Sequence, residues 1–354
     1  MIYNASIPAP APEAGRRLLP LDGARGLSAL MVAMFHFDRN AWPAHGYLAV
    51  DLFFLLSGYV IAGAYEKRLR RGEGLSAFFV IRMARLYPLY LFGTLIGLGG
   101  YLTAHPPAGV AQAFLKALIF LPGQIPGDSV AYPLNGVMWT LVAEVQVNLL
   151  YAWFGYRLST RALAASVIAA GAVLAAVVIA HGGANLGCPA RVLFAFPLGV
   201  VVWRLHSGGR LPKLAVSALI PLLAAIVVYA APFLHAPRAN GALDAVAILL
   251  ALPLILVGLV LAKAPKAPLA WACGYTGALS YALYAIHLPV SDVLNRLPIA
   301  DRPYGGARVL VLGLAIAIPI AMFGHHVVEP AGRRLILSRS RRRKATTAAV
   351  ATAI

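Results

Sequence analysis

Arg25 and His36 stand eleven residues apart in a stretch, Leu21 to His36, that is otherwise almost wholly apolar. On a helix of 3.6 residues per turn these positions fall on nearly one face, roughly 16 Å apart. That is about half the hydrocarbon thickness of a bilayer. A guanidinium near one mouth and an imidazole well inside suit a ligand that is anionic at one end and reactive at the other. Ionisable groups inside a membrane are costly, which makes both residues functional candidates. An imidazole titrates near neutrality and suits a general base that takes a proton from a hydroxyl.

Arg82 and Arg85 share a helical face at i and i+3 in the run Phe78 to Pro88. Beside Arg25 on one membrane side they would form an oxyanion or phosphate site. The plain alternative is snorkelling of two long side chains at the interface. Glu144 sits in the middle of the apolar run Trp139 to Asn148, with Asn148 on its face at i+4. A carboxylate there requires an Arg or His from another span. Ser280, Tyr284 and His287 form a stripe at i, i+4 and i+7, read first as a hydrogen-bonded helix contact. Asp51 opens the run Val50 to Gly58 and suits a helix N-terminus. It reads as half of a buried ion pair that fixes the packing of the first two spans. Ser57-Gly58 reads as a small-residue helix contact, because no Gly-x-Ser-x-Gly and no adjacent acid–base partner accompany it. The two cysteines, Cys188 and Cys273, and the histidine spacings predict neither a disulfide nor a metal site.

These residues need a membrane to sit in, and composition supplies it. The chain has 354 residues, 60% hydrophobic and only 12% charged, too little polar surface for a soluble protein. Ten stretches are long enough to span as helices: 24–40, 47–65, 80–102, 136–156, 161–180, 189–205, 214–233, 243–262, 271–290 and 306–328. The segment 111–121 is apolar but too short, and reads as an interfacial or re-entrant helix. The net charge of +18 does not point to nucleic acid, because the charges lie between apolar runs. With both termini in the cytoplasm, the inner side gathers 22 of the 30 Lys and Arg residues. An eleventh span at 111–121 would destroy that bias. The expectation is an all-α polytopic bundle of ten spans at 21–330. A disordered cytoplasmic tail at 1–20, without a signal peptide's apolar core, precedes it, and a basic cytoplasmic tail at 331–354 follows.

Five segments occur in the order seen in membrane-bound acyltransferase family 3, the O-acyltransferases of bacterial surface and exported glycans. They are Leu21 to Gly26 with His36 in an Arg-x10-His pattern, Val50 to Gly58, Arg82 to Pro88, Trp139 to Glu144, and Leu279 to His287. The chain resembles that family from about Leu21 to Pro330. Three places depart from its usual pattern: Val147-Asn148 after the glutamate, Ile81 before the arginine pair, and a closing Glu-x-Pro contracted to Glu329-Pro330.

The resemblance implies transfer of an acyl group, usually acetyl from acetyl-CoA, to a hydroxyl of a carbohydrate or glycolipid in the bacterial inner membrane. Under it, Arg25, Arg82 and Arg85 hold the CoA phosphates. His36 is the general base, and Glu144 orients it or stabilises its charged form, as carboxylates do in triads. The implied partners are acyl-CoA, the carbohydrate or glycolipid acceptor and membrane lipid, with no metal and no nucleic acid. A lipid-linked sugar flippase or transporter explains the spans equally well, but not three arginines gathered at one mouth opposite a histidine.

Overall fold

The computed structural model describes residues 18–38, 42–103, 107–125, 130–184, 189–234, 236–297 and 306–340. Cys188, most of the N-terminal tail and the basic run 341–344 lie outside the described residues. The fold is all-helical. Its elements are α1 (Leu19–Phe37), α2 (Ala49–Arg70), α3 (Leu75–Leu102), α4 (Pro107–Leu118), α5 (Met138–Trp153) and α6 (Thr160–His181). They continue as α7 (Pro189–Ser207), α8 (Leu219–Ala230), α9 (Pro237–Val246), α10 (Leu252–Val260), α11 (Ala267–Asn295) and α12 (Ala307–Phe323). A π turn at Ala247–Ala251 joins α9 to α10, and another at Gly324–Val328 carries α12 onward as far as Ser340. The expected domain edge at residue 330 therefore falls inside a helix.

A helix stands at each of the ten places where the apolar runs predict one. Among the described residues, five are long and apolar enough to cross a membrane: Gly46–Arg70, Leu75–Leu102, Thr160–His181, Pro237–Val260 and Ala307–Ser340. Four of the others fall short for visible reasons. Helix α5 has 16 residues and α8 has 12. Helix α1 spends positions on Asp22 and Arg25, and α7 on Arg191 and Arg204. The segment expected to lie at the interface is the short helix α4. Apolar side chains project outward from the bundle, with Ile168 74%, Leu254 70% and Val227 69% exposed. Such a surface needs lipid around it, and the protein is a multi-pass membrane protein.

Close helix crossings set the frame. Gly277 of α11 lies so near α1 that a Cβ there would come within 2.5 Å of the Asp22 Cβ. Gly58 of α2 faces the Phe196 carbonyl of α7, while Gly199 of α7 faces the Leu55 carbonyl of α2, with no room for a side chain at either. This is the small-residue contact expected at Ser57-Gly58. Among the described residues the buried hydrophobic core forms four clusters. The two largest centre on α2, α6, α7 and α10 and on α1, α11 and α12, and two smaller ones lie where α3 meets α4 and the start of α5.

Candidate active site

Helices α1, α2, α3, α5, α11 and the continuation of α12 enclose a cavity of about 380 Å³. Arg25 enters it from α1, Arg82 and Arg85 from α3, Glu144 from α5 and Ser57 from α2. Four of the five expected site residues therefore share one space, although they lie up to 119 positions apart in the chain. The i, i+3 spacing on α3 puts both of its guanidiniums on the same wall.

Glu144 finds the partner its burial requires. Arg82 Nη2 donates to its Oε1 at 2.8 Å, and the Ser57 hydroxyl donates to the same oxygen at 3.1 Å. One carboxylate thus joins α2, α3 and α5. A second donor of that guanidinium, Arg82 Nε, is buried without a partner among the described residues. Arg25 and Arg85 make no hydrogen bond or ion pair with any described residue. Guanidiniums left in excess around a cavity suit a polyanion.

Two wall residues escape a reading of the sequence. Glu329 and Arg333 reach the cavity from the helix that continues α12 past its π turn. Gly332 brings that helix onto α3, where a Cβ would stand 2.6 Å from Pro88. Arg333 is thereby held on the same side as Arg85. The contracted Glu329-Pro330 motif is a signal for the glutamate. Nothing separates Arg333 from the other cations of a basic tail. With these two, four guanidiniums face two carboxylates.

Away from the arginines the wall turns apolar, with Phe53, Phe54 and Leu141, then polar again at Asn135, Thr140 and Tyr284. The hydroxyls of Thr140 and Tyr284 lie 2.6 Å apart. Asn135 donates to the Ala285 carbonyl at 3.1 Å, while its Oδ1 is buried without a partner among the described residues.

His36 is not in the cavity wall. Its Nδ1 lies 2.8 Å from the Val32 carbonyl and 3.1 Å from His287 Nε2. The His287 ring in turn lies 5.6 Å from the Tyr284 ring, which does face the cavity. His36 thus touches His287, which touches the cavity-lining Tyr284, and the ring bonded to it is His287 where Glu144 was expected. Of the stripe Ser280, Tyr284 and His287, the first two line the cavity and His287 makes a helix contact with α1.

Asp51 is a structural ion pair, but not between the first two spans. Arg191 of α7 grips it through Nε at 3.0 Å and Nη2 at 2.6 Å, so the pair joins α2 to α7. Among the described residues no group of three or more His, Cys, Asp or Glu could hold a metal ion.

The chain as a whole is similar to known proteins. A family model described as an acyltransferase domain matches residues 19–325. "Protein 2 in picA locus" of Rhizobium radiobacter is 35% identical over 47% of this chain and 96% of its own length. The putative membrane-bound transacylase BcsY of Komagataeibacter xylinus is 26% identical over 88% of this chain and 82% of its own. The putative peptidoglycan O-acetyltransferase YrhL of Bacillus subtilis is 26% identical over 88% of this chain and 54% of its own. No solved structure matches the chain significantly. The family match spans nearly the whole bundle, including α1, α2, α3, α5 and α11 of the cavity wall, so the chain belongs to the acyltransferase-domain family and is an enzyme that transfers acyl groups other than aminoacyl groups.

Proposed function

We propose that the protein is an O-acyltransferase of the bacterial inner membrane. It carries an acyl group, acetyl in the simplest case, from acyl-CoA to a hydroxyl of a carbohydrate or glycolipid. The bundle has ten spans with both termini in the cytoplasm, as the distribution of Lys and Arg favours. The observation that carries the reading is the convergence of Arg25, Arg82 and Arg85 on one cavity that turns apolar away from them. Arg333 adds a fourth cation.

In this reading the guanidiniums hold the CoA phosphates at the cytoplasmic mouth. Arg82 is pre-set by Glu144, and Ser57 fixes the carboxylate in turn. The acyl end lies along Phe53, Phe54 and Leu141 towards Tyr284. An acceptor hydroxyl attacks the thioester carbonyl carbon and gives its proton to His36. The new C–O bond forms, the C–S bond breaks, and the CoA sulfur leaves and takes the proton back. Glu144 therefore acts through the donor site and not on the histidine. The acceptor class rests on the family resemblance and on the name of the Bacillus subtilis relative.

The test is CoA release by the purified protein in proteoliposomes given acetyl-CoA, with and without a glycan or glycolipid fraction. Acceptor-dependent release, with acetyl ester in the glycan by mass spectrometry, is the expected result. Movement of a lipid-linked sugar across the bilayer without CoA release would favour a flippase instead.

A further inference from the structure

Three backbone carbonyls bear on how the paired histidines are protonated. His287 is fully buried in α11, and its Nδ1 lies 2.8 Å from the Tyr284 carbonyl and 3.2 Å from that of Leu283. A carbonyl only accepts, so the ring hydrogen of His287 is on Nδ1 and its Nε2 presents a lone pair. That lone pair faces His36 Nδ1 at 3.1 Å. His36 Nδ1 also lies 2.8 Å from the Val32 carbonyl, so it carries the hydrogen and shares it between two acceptors. A doubly protonated His287 would point N–H at N–H. The basic lone pair of His36 is then on Nε2.

We propose that His287 is the positioning residue of His36, accepting its Nδ1 hydrogen and holding Nε2 as the base. This rests on the reading of His36 as general base. When Nε2 gains the hydroxyl proton, the ring becomes cationic and the bond from Nδ1–H strengthens. An acceptor aimed at Nδ1 therefore contributes most in the charged state, the service a carboxylate gives in a triad. Here a neutral imidazole occupies that place, because Glu144 is bound to Arg82 and Ser57. The frame keeps the rings together. The Ser291 hydroxyl donates to the His36 carbonyl at 2.8 Å, and the crowded crossing at Gly277 fixes α1 on α11. The ring centroids are 5.0 Å apart.

The test combines kinetics and spectroscopy on the full-length protein in lipid. His287→Leu removes the acceptor and should lower kcat by about ten- to hundredfold, the worth of one charge-assisted hydrogen bond, with KM for acyl-CoA unchanged. His287→Gln offers a carbonyl oxygen near the same place and should recover most of that loss. In a His36→Ala background neither substitution should slow the residual rate further. Histidine-labelled protein studied by ¹⁵N NMR should show both rings with hydrogen on Nδ1 and none on Nε2. Hydrogen on His287 Nε2, or a Gln variant no faster than Leu, would overturn the proposal. If His36→Ala keeps the wild-type rate, the general-base reading fails, and with it the positioning role even where the NMR shows the bond. Should His287→Leu fail to fold, the Gln variant and the NMR still decide.

Discussion

Two charged regions lie in this bundle, and they are built in opposite ways. One is sealed. Where α1 ends and α2 begins, Asp51 is clasped by Arg191, and Asp244 accepts from Tyr47, from His45 and from the Ala184 N–H. Arg191 also donates to the carbonyls of Ala184 and Tyr47. Asp51, Asp244, His45 and Arg191 are all at most 2% exposed. The other region is open, with four guanidiniums and two carboxylates around a cavity, where Arg25 and Arg85 have no ion-pair partner among the described residues. Intramembrane charge alone therefore does not mark a site. Paired and buried, it is a fastening. Unmatched and facing a space, it is a place for a ligand. The cost of leaving guanidiniums unpaired is sensible only if something anionic arrives.

Substitutions can break that contrast, and the largest effect is expected at the chemistry. His36→Ala should lower the acyl-transfer rate by about 10²–10⁴ while leaving acyl-CoA binding intact, measured by CoA release against binding of the same protein. Arg191→Leu comes next, on stability. It strands Asp51 in the interior and should cost about 3–5 kcal/mol, read as a lowered melting temperature in detergent. Adding Asp51→Leu should return much of that loss. Arg85→Ala should behave in the reverse sense, with an unchanged melting temperature and donor affinity weakened roughly tenfold or more, since a charge-assisted hydrogen bond is worth about 1.5–3 kcal/mol. Arg82→Lys should be the mildest in charge yet still weaken the donor, because the planar fork that meets Glu144 and a phosphate together is lost. A melting-temperature loss in Arg85→Ala as large as in Arg191→Leu would erase the distinction between the two regions.

The helices were legible because spans of apolar residues need little tertiary information, and the short α4 stood out for its length. Arg25, Arg82, Arg85 and Glu144 were legible as costly charges in apolar runs. Their partners were not. Glu144 needed a cation, but only the packing of α3 on α5 makes it Arg82. Asp51 looked like a neighbour of α1, but the crossing at Gly58 and Gly199 brings α7 to it and supplies Arg191. Arg333 was hidden among tail cations until the π turn after α12 and the contact of Gly332 with Pro88 placed it. His36 and His287 are 251 residues apart, and no spacing announces that their rings meet.

The central claim is that the arginine-walled cavity holds the acyl donor, and direct binding of radiolabelled acetyl-CoA to the purified protein in nanodiscs tests it most directly. Binding should be saturable, competed by free CoA and weakened at least tenfold by Arg85→Ala and by Arg25→Ala, with His36→Ala binding as wild type. Equal affinity for acetyl-CoA in the wild type and in a folded Arg25→Ala, Arg85→Ala double variant would contradict the account.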